Sequence, residues 1–243
     1  TDFVLILDDL EKIERVEGKA QGLESQRELF LNRAPQLTGL QAHVIYTVSL
    51  RLARSDGSQL RQRYGVDPFV LPMVKVIERG TRIPFQPGLD CLHGLLQKRV
   101  DGLSLDEVFA PDALDFLLTY SGGHTRDLMI FVREACTYSD NIPISLKAAH
   151  QAIGPTVRTY STAIPEKHWE KLARLDLSTD QQIDNDDEDY LAMLDNLSLL
   201  EYINGSGDDP FASAEPWYAV NPIVRELQKF KAAVNAPSEV SAS

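Results

Sequence analysis

At 243 residues the chain is long enough for two or three small domains. Its 43% apolar and 25% charged residues, with no apolar run approaching a membrane span, describe a soluble globular protein. Thirty-six acidic side chains against 24 basic ones give a formal charge of −12, which excludes a generic affinity for nucleic acid or anionic lipid.

The chain opens on an unbroken apolar run, Phe3 to Leu7, closed abruptly by Asp8 and Asp9. Such a run reads as a strand buried on both faces whose C-terminal end presents acid to a crevice, although an acid pair there also suits a cap on a following helix. Starting inside a core strand, without an initiator Met or a signal peptide, suggests a piece cut from a longer polypeptide. Residues 11–23 are polar and punctuated by Gly18 and Gly22, as a surface loop is. Residues 24–33 read as a helix with Leu29 and Phe30 facing inward, stopped by Pro35. A second buried strand is expected at Ala42 to Leu50 and a third at Phe69 to Ile77, which together argue for a parallel α/β sheet.

From Gly88 onward the strand signal stops. Leu89, Leu92, Leu95 and Leu96 keep helical spacing, and Pro111 sits where a first helical turn begins, ahead of Leu114, Leu117 and Leu118. Leu128, Phe131, Val132 and Ala135 form another apolar face, and Ser145 suits the cap of a helix through Ile153. The last part changes again. Helices at about 165–175 and 187–197 precede a strand at Leu199 to Asn204, a loose acidic loop over 205–216, a strand at Trp217 to Val220, and a helix from Pro222 to about Lys231. That order of elements is the order of a winged helix. Cys91 and Cys136 fit no metal spacing and read as core residues of a reduced, cytoplasmic protein. Five scattered histidines, His43, His93, His124, His150 and His168, form no zinc or triad constellation.

The segment Ser121-Gly122-Gly123-His124-Thr125-Arg126-Asp127-Leu128 is similar to the sensor 2 motif of P-loop ATPases, in which a Gly-containing turn starts a lid helix and an Arg in its first turn reaches nucleotide phosphates. Together with the acid-ended first strand, the chain resembles the C-terminal part of an AAA+ or STAND-type P-loop ATPase. A phosphoreceiver domain also opens on a strand and an acid pair. It needs a third Asp ending the next core strand, where this chain offers only Thr47 and Ser49.

The resemblance implies an α/β fold class, a partial parallel-sheet P-loop core over 1–87, followed by an all-α lid over 88–160, a winged-helix domain over 161–235 and a flexible tail over 236–243. It makes Phe3 to Asp9 a Walker B segment, with Asp8 holding Mg²⁺ on ATP and Asp9 polarising the attacking water. Thr47 or Ser49 becomes the sensor 1 residue, Arg126 the sensor 2 residue, and Arg61 or Arg63 the arginine finger, chosen from Arg51, Arg54, Arg61 and Arg63. No G-x-x-x-x-G-K-[ST] occurs, so the chain alone is not expected to bind ATP with useful affinity.

The family places the P-loop strand between the sensor 1 strand and the last strand, here 69–77. Its absence predicts association through that gap, with the missing N-terminal half of the same polypeptide or with itself. The winged helix suggests DNA, but its groove-facing helix begins Asp187-Glu188-Asp189 and contains Asp195, and the wing carries Asp208, Asp209 and Glu215. Those charges oppose DNA and point to a protein client. The run from Asp184 to Asp189 lacks the Gly and closing Glu of an EF-hand and reads as acids favouring a helix N-terminus. The expected function is an ATP-driven regulatory switch. The alternative is a non-enzymatic scaffold that kept the fold, and a lesser one is a DNA-binding, origin-recognition-like ATPase.

Overall fold

The computed structural model describes residues 3–10, 22–204 and 215–236, which carry 13 α-helices and four strands in a mixed α/β arrangement. Contacts group them into two compact units, Thr1–Leu71 with Asp184–Asn196, and Pro72–Ile183 with Leu197–Ser243. This grouping differs from the expected division at residues 87 and 160, because residues 72–77 pack into the second unit and 184–196 into the first. Most of the expected loop at 11–23, the wing residues Asp208 and Asp209, and the tail beyond 236 lie outside the described residues.

The first unit is built on β1 (Val4–Leu7) and β2 (His43–Tyr46), paired in parallel with Val4 opposite His43 and Leu7 opposite Tyr46. Between them run α1 (Gly22–Arg27), a π-helical segment Glu28–Asn32 and α2 (Ala34–Thr38). The expected helix thus ends at Asn32, ahead of Pro35. Pro35 lies in the first turn of α2, where its missing N–H costs nothing. After β2 come α3 (Leu50–Ser55) and α4 (Gly57–Tyr64), the latter ended by Gly65 at φ 75, the left-handed residue that closes many helices. α11 (Glu188–Asp195) completes the unit.

Phe30, Leu31, Leu52, Leu60 and Leu23 form its core, with Leu29, Tyr46 and Tyr64 packed against them. Tyr46 and Tyr64 donate their hydroxyls to the carbonyls of Leu37 and Phe30, at 2.9 Å each, which keeps both polar tips satisfied at the core's margin.

The expectation that the first strand is buried on both faces fails. Phe3, Val4, Leu5 and Ile6 are all exposed, Ile6 by 63%, and Ile45 on β2 is 52% exposed. A two-stranded sheet has no neighbouring strands, and only the face that carries Val44 and Tyr46 is partly covered, Tyr46 packing against Phe30 and Tyr64. The second strand is shorter than expected, because Ser49 leaves the ladder to cap α3. The third strand does not form: over 69–77 there is only one isolated bridge, Ile77 to Pro84. Pro72 brings no N–H to a ladder. Met73 and Val74 instead donate to the carbonyls of Glu201 and Gly123, at 3.0 and 3.2 Å, inside the second unit. Phe69 and Leu71, just ahead, are left 90% and 84% exposed.

The second unit is a helical bundle with a hairpin. α5 (Gln86–Gln97) buries Leu92 and Leu96, and α6 (Leu105–Val108) starts from a capping box between Ser104 and Glu107. α7 (Pro111–Tyr120), α8 (Thr125–Thr137) and α9 (Leu146–Ala163) follow, burying Leu114, Leu117 and Leu118, Leu128, Phe131 and Ala135, and Ala148, Ala149 and Ile153 respectively. Pro111 at the start of α7 and the Ser145 cap of α9 are as expected, although α9 runs ten residues past Ile153. Cys91 and Cys136 are exposed, not core residues, since each falls on the outer side of its helix.

After α10 (His168–Leu177), β3 (Leu199–Ile203) and β4 (Pro216–Val220) pair antiparallel, Leu199 opposite Val220. Both strands are buried almost throughout, with Tyr202 stacked on Trp217 at 4.7 Å. The last helix expected is two, α12 (Pro222–Glu226) and α13 (Gln228–Asn235), because buried Leu227 is extended.

Candidate functional site

In the first unit the sequence-predicted site residues divide. Parallel pairing brings the C-terminal ends of β1 and β2 side by side, and Thr47 continues the ladder by donating its N–H to the Leu7 carbonyl at 3.2 Å. Its hydroxyl donates to Asp8 Oδ1 at 2.7 Å. Asp8 and Thr47 are therefore one polar unit at the strand ends, assembled across 39 residues of sequence. Asp9 is exposed and left-handed at φ 63, a conformation Asp tolerates better than most side chains and which turns it out of the strand direction.

Ser49, expected to share a face with Thr47, is separated from it. Its hydroxyl donates to Gln26 Oε1 at 2.7 Å and accepts from the Leu52 N–H at 3.2 Å, so it serves the start of α3. Of the arginines, Arg61 lies 3.5 Å from Asp67 on the surface and Arg63 is exposed. The arginine held in place is Arg51. It pairs with Glu188 and lies 3.7 Å from Asp195, both on α11. Burial raises the Asp195 carboxyl above its ordinary value, Arg51 opposes that rise and Glu188 adds to it. Nothing local marks this cluster, because Arg51 and Glu188 are 137 residues apart.

In the second unit, Gly122 and Gly123 form the turn before α8 at φ 58 and 78. The close approach they permit is to the chain itself. A Cβ on Gly123 would meet the Val74 carbonyl oxygen at 1.8 Å, and one on Gly122 would meet Leu200 Cδ1 at 2.3 Å. Tyr202 donates its buried hydroxyl to the Gly122 carbonyl at 2.7 Å, and Ser121 Oγ accepts from the Gly123 N–H at 3.1 Å. The turn is thus a packing joint between α7, α8, residues 72–77 and β3. His124, at the N-cap of α8, has Nδ1 3.1 Å from Asp127, and Arg126 is exposed on the helix's first turn.

A second polar cluster lies deeper and was not visible in the sequence. The Asp176 side chain is 1% exposed, and it is bonded by Arg225 through Oδ1 at 2.7 Å and by Arg82 through Oδ2 at 2.8 Å. These partners are 49 and 94 residues away.

Among the described residues no group of three or more His, Cys, Asp and Glu side chains is placed to hold a metal. Mg²⁺ takes one or two carboxylates and completes its shell with phosphate and water oxygens, so Asp8 beside Thr47 suits the protein's share of such a site. No helix among the described residues is long and apolar enough to cross a membrane. No family model matches the chain, and no curated protein or solved structure matches it.

Proposed function

We propose that the chain is the Walker B, sensor and lid part of an ATP-driven regulatory switch of the AAA+ or STAND type. The observation that carries this reading is the parallel β1–β2 pair with Asp8 and Thr47 hydrogen-bonded at its C-terminal end. Open α/β sheets bind ligands at that end, and an acid on one strand joined to a hydroxyl on the next suits a cation-bound phosphate and its attacking water. In this reading Asp8 holds Mg²⁺ on the nucleotide, which neutralises phosphate charge, Thr47 fixes the Asp8 carboxylate, and Asp9 orients water. Arg126 reads the phosphates from the lid. The β3–β4 hairpin with α10, α12 and α13 serves as the contact for a protein client, although α11, the helix expected to complete a winged helix, groups with the first unit.

The open sheet supports a missing half. In a parallel ladder alternate residues bond to opposite sides, so with Thr47 bonded to β1 the backbone groups of Val44 and Tyr46 face away from it. Val44 and Tyr46 also line an apolar groove of about 270 Å³, together with Val66, Pro68 and Phe69. The resemblance expects the P-loop strand beside the sensor 1 strand, and the outward edge of β2 is open to it.

One observation favours the alternative, a non-enzymatic scaffold: Gly122 and Gly123 are fully accounted for by packing against Val74 and Leu200. Steady-state ATP hydrolysis by the longer parent protein separates the two. The switch predicts turnover that Asp9→Asn and Arg126→Ala each reduce by about a hundredfold or more. Absence of turnover in the unaltered parent, or variants as active as it, rejects the switch in favour of the scaffold.

A further inference from the structure

We propose that a cavity of about 370 Å³ in the second unit binds a monoanionic carboxylate that carries an apolar body. The proposal is independent of the nucleotide reading. The cavity lies between the turn after Ile77, the end of α7 and the α12–α13 segment, and Ile77, Phe230 and Val234 give it an apolar wall.

Its polar side is a built charge cluster. Arg225 presents Nε and Nη2 to Asp176 Oδ1, at 2.7 and 2.6 Å, and Arg82 presents Nη2 to Oδ2 at 2.8 Å. Each guanidinium is therefore fixed by a buried carboxylate, while Nη1 of Arg225 and Nε and Nη1 of Arg82 have no protein acceptor among the described residues. At the rim Lys231 pairs with Glu226 at 2.7 Å, and Tyr120 donates to the same carboxylate at 3.3 Å. Arg82, Arg225 and Lys231 stand against Asp176 and Glu226, which leaves one positive charge without a counter-charge in a chain of net charge −12.

One anion completes that balance. A carboxylate matches the fork of a fixed guanidinium, and the apolar wall takes the remainder of the molecule. A phosphate dianion fits less well, because its second charge meets Glu226 at the rim. The chemistry is shared by a free organic acid and by a peptide C-terminus.

The test is titration of the 243-residue chain with 3-phenylpropionate and with 3-phenylpropanamide, followed by calorimetry and by the NMR signal of the Arg225 Nε–H. The acid is expected to bind about tenfold tighter than the amide and to shift the Arg225 signal. Arg82→Gln, on a side chain 70% exposed and therefore tolerated by the fold, is expected to weaken the acid about tenfold and leave the amide unchanged. N-acetyl-leucyl-phenylalanine binding tighter than 3-phenylpropionate assigns the ligand to peptide C-termini, and the reverse order assigns it to free acids. Equal binding of acid and amide, no effect of Arg82→Gln, or no binding of any probe overturns the proposal.

Discussion

The protein contains two sheets of two strands each, and they differ in what covers them. β3 and β4 are enclosed on both faces, with Trp217, Tyr202 and Tyr218 essentially inaccessible to water. β1 and β2 are at least as apolar along their length, yet Val4, Ile6 and Ile45 face solvent. An isolated pair of strands is marginal in water, and parallel sheets are found covered on both faces. The difference teaches that composition sets a strand's need for burial, while the elements around it decide whether the need is met. The second unit meets it internally. The first leaves an open edge and one open face.

The largest test of that contrast is truncation of matched side chains. Trp217→Ala removes a fully buried, stacked ring and is expected to cost about 3–5 kcal/mol in urea unfolding of the second unit. Ile6→Ala, on the exposed strand, is expected to stay within about 0.5 kcal/mol. Equal costs would break the comparison.

Next in size is Gly123→Ala, which forces a Cβ into the Val74 carbonyl at φ 78 and is expected to cost about 2 kcal/mol or more. Gly94→Ala, in open space within α5, is expected to gain up to about 1 kcal/mol, both changes being read by thermal denaturation. Tyr202→Phe removes the hydroxyl that holds the Gly122 carbonyl and is expected to cost about 1–2 kcal/mol, a smaller loss than Gly123→Ala.

Much of this was legible in the sequence and some was not, for physical reasons. Periodic apolar faces with local caps, such as Pro111 with Leu114, Leu117 and Leu118, or Ser145 with α9, are set by neighbours in the chain and appear where expected. The stretch from Phe69 to Ile77 has a strand's composition, but Pro72 and the competing acceptors Glu201 and Gly123 draw its backbone away from a ladder. Ser49 and Thr47 look equivalent by alternation until the strand ends between them and Ser49 becomes a cap. The Asp8–Thr47 pair lay within the expected site. The Arg51–Glu188–Asp195 and Arg82–Asp176–Arg225 clusters join distant segments and leave no local signature.

The smallest effect expected is a pH slope in the first unit. Burial raises the folded-state pKa of Asp195, so its favourable contribution is present below the ordinary carboxylate value of about 4 and is lost as pH rises through the raised value. Asp195→Asn removes that slope. Its stability relative to the unaltered chain, from urea midpoints, is expected to improve as pH rises through this window, and a difference constant with pH would contradict the assignment.

Amide hydrogen exchange at Val44 and Tyr46 tests most directly whether the open edge awaits a further strand. In this chain alone these amides are expected to exchange rapidly beside protected Ile45 and Thr47 and beside slow amides in β3. In the longer parent protein they are expected to become as protected as their neighbours. Protection already complete in the isolated chain, or absent in the parent, would contradict the account of a sheet completed by a nucleotide-binding half.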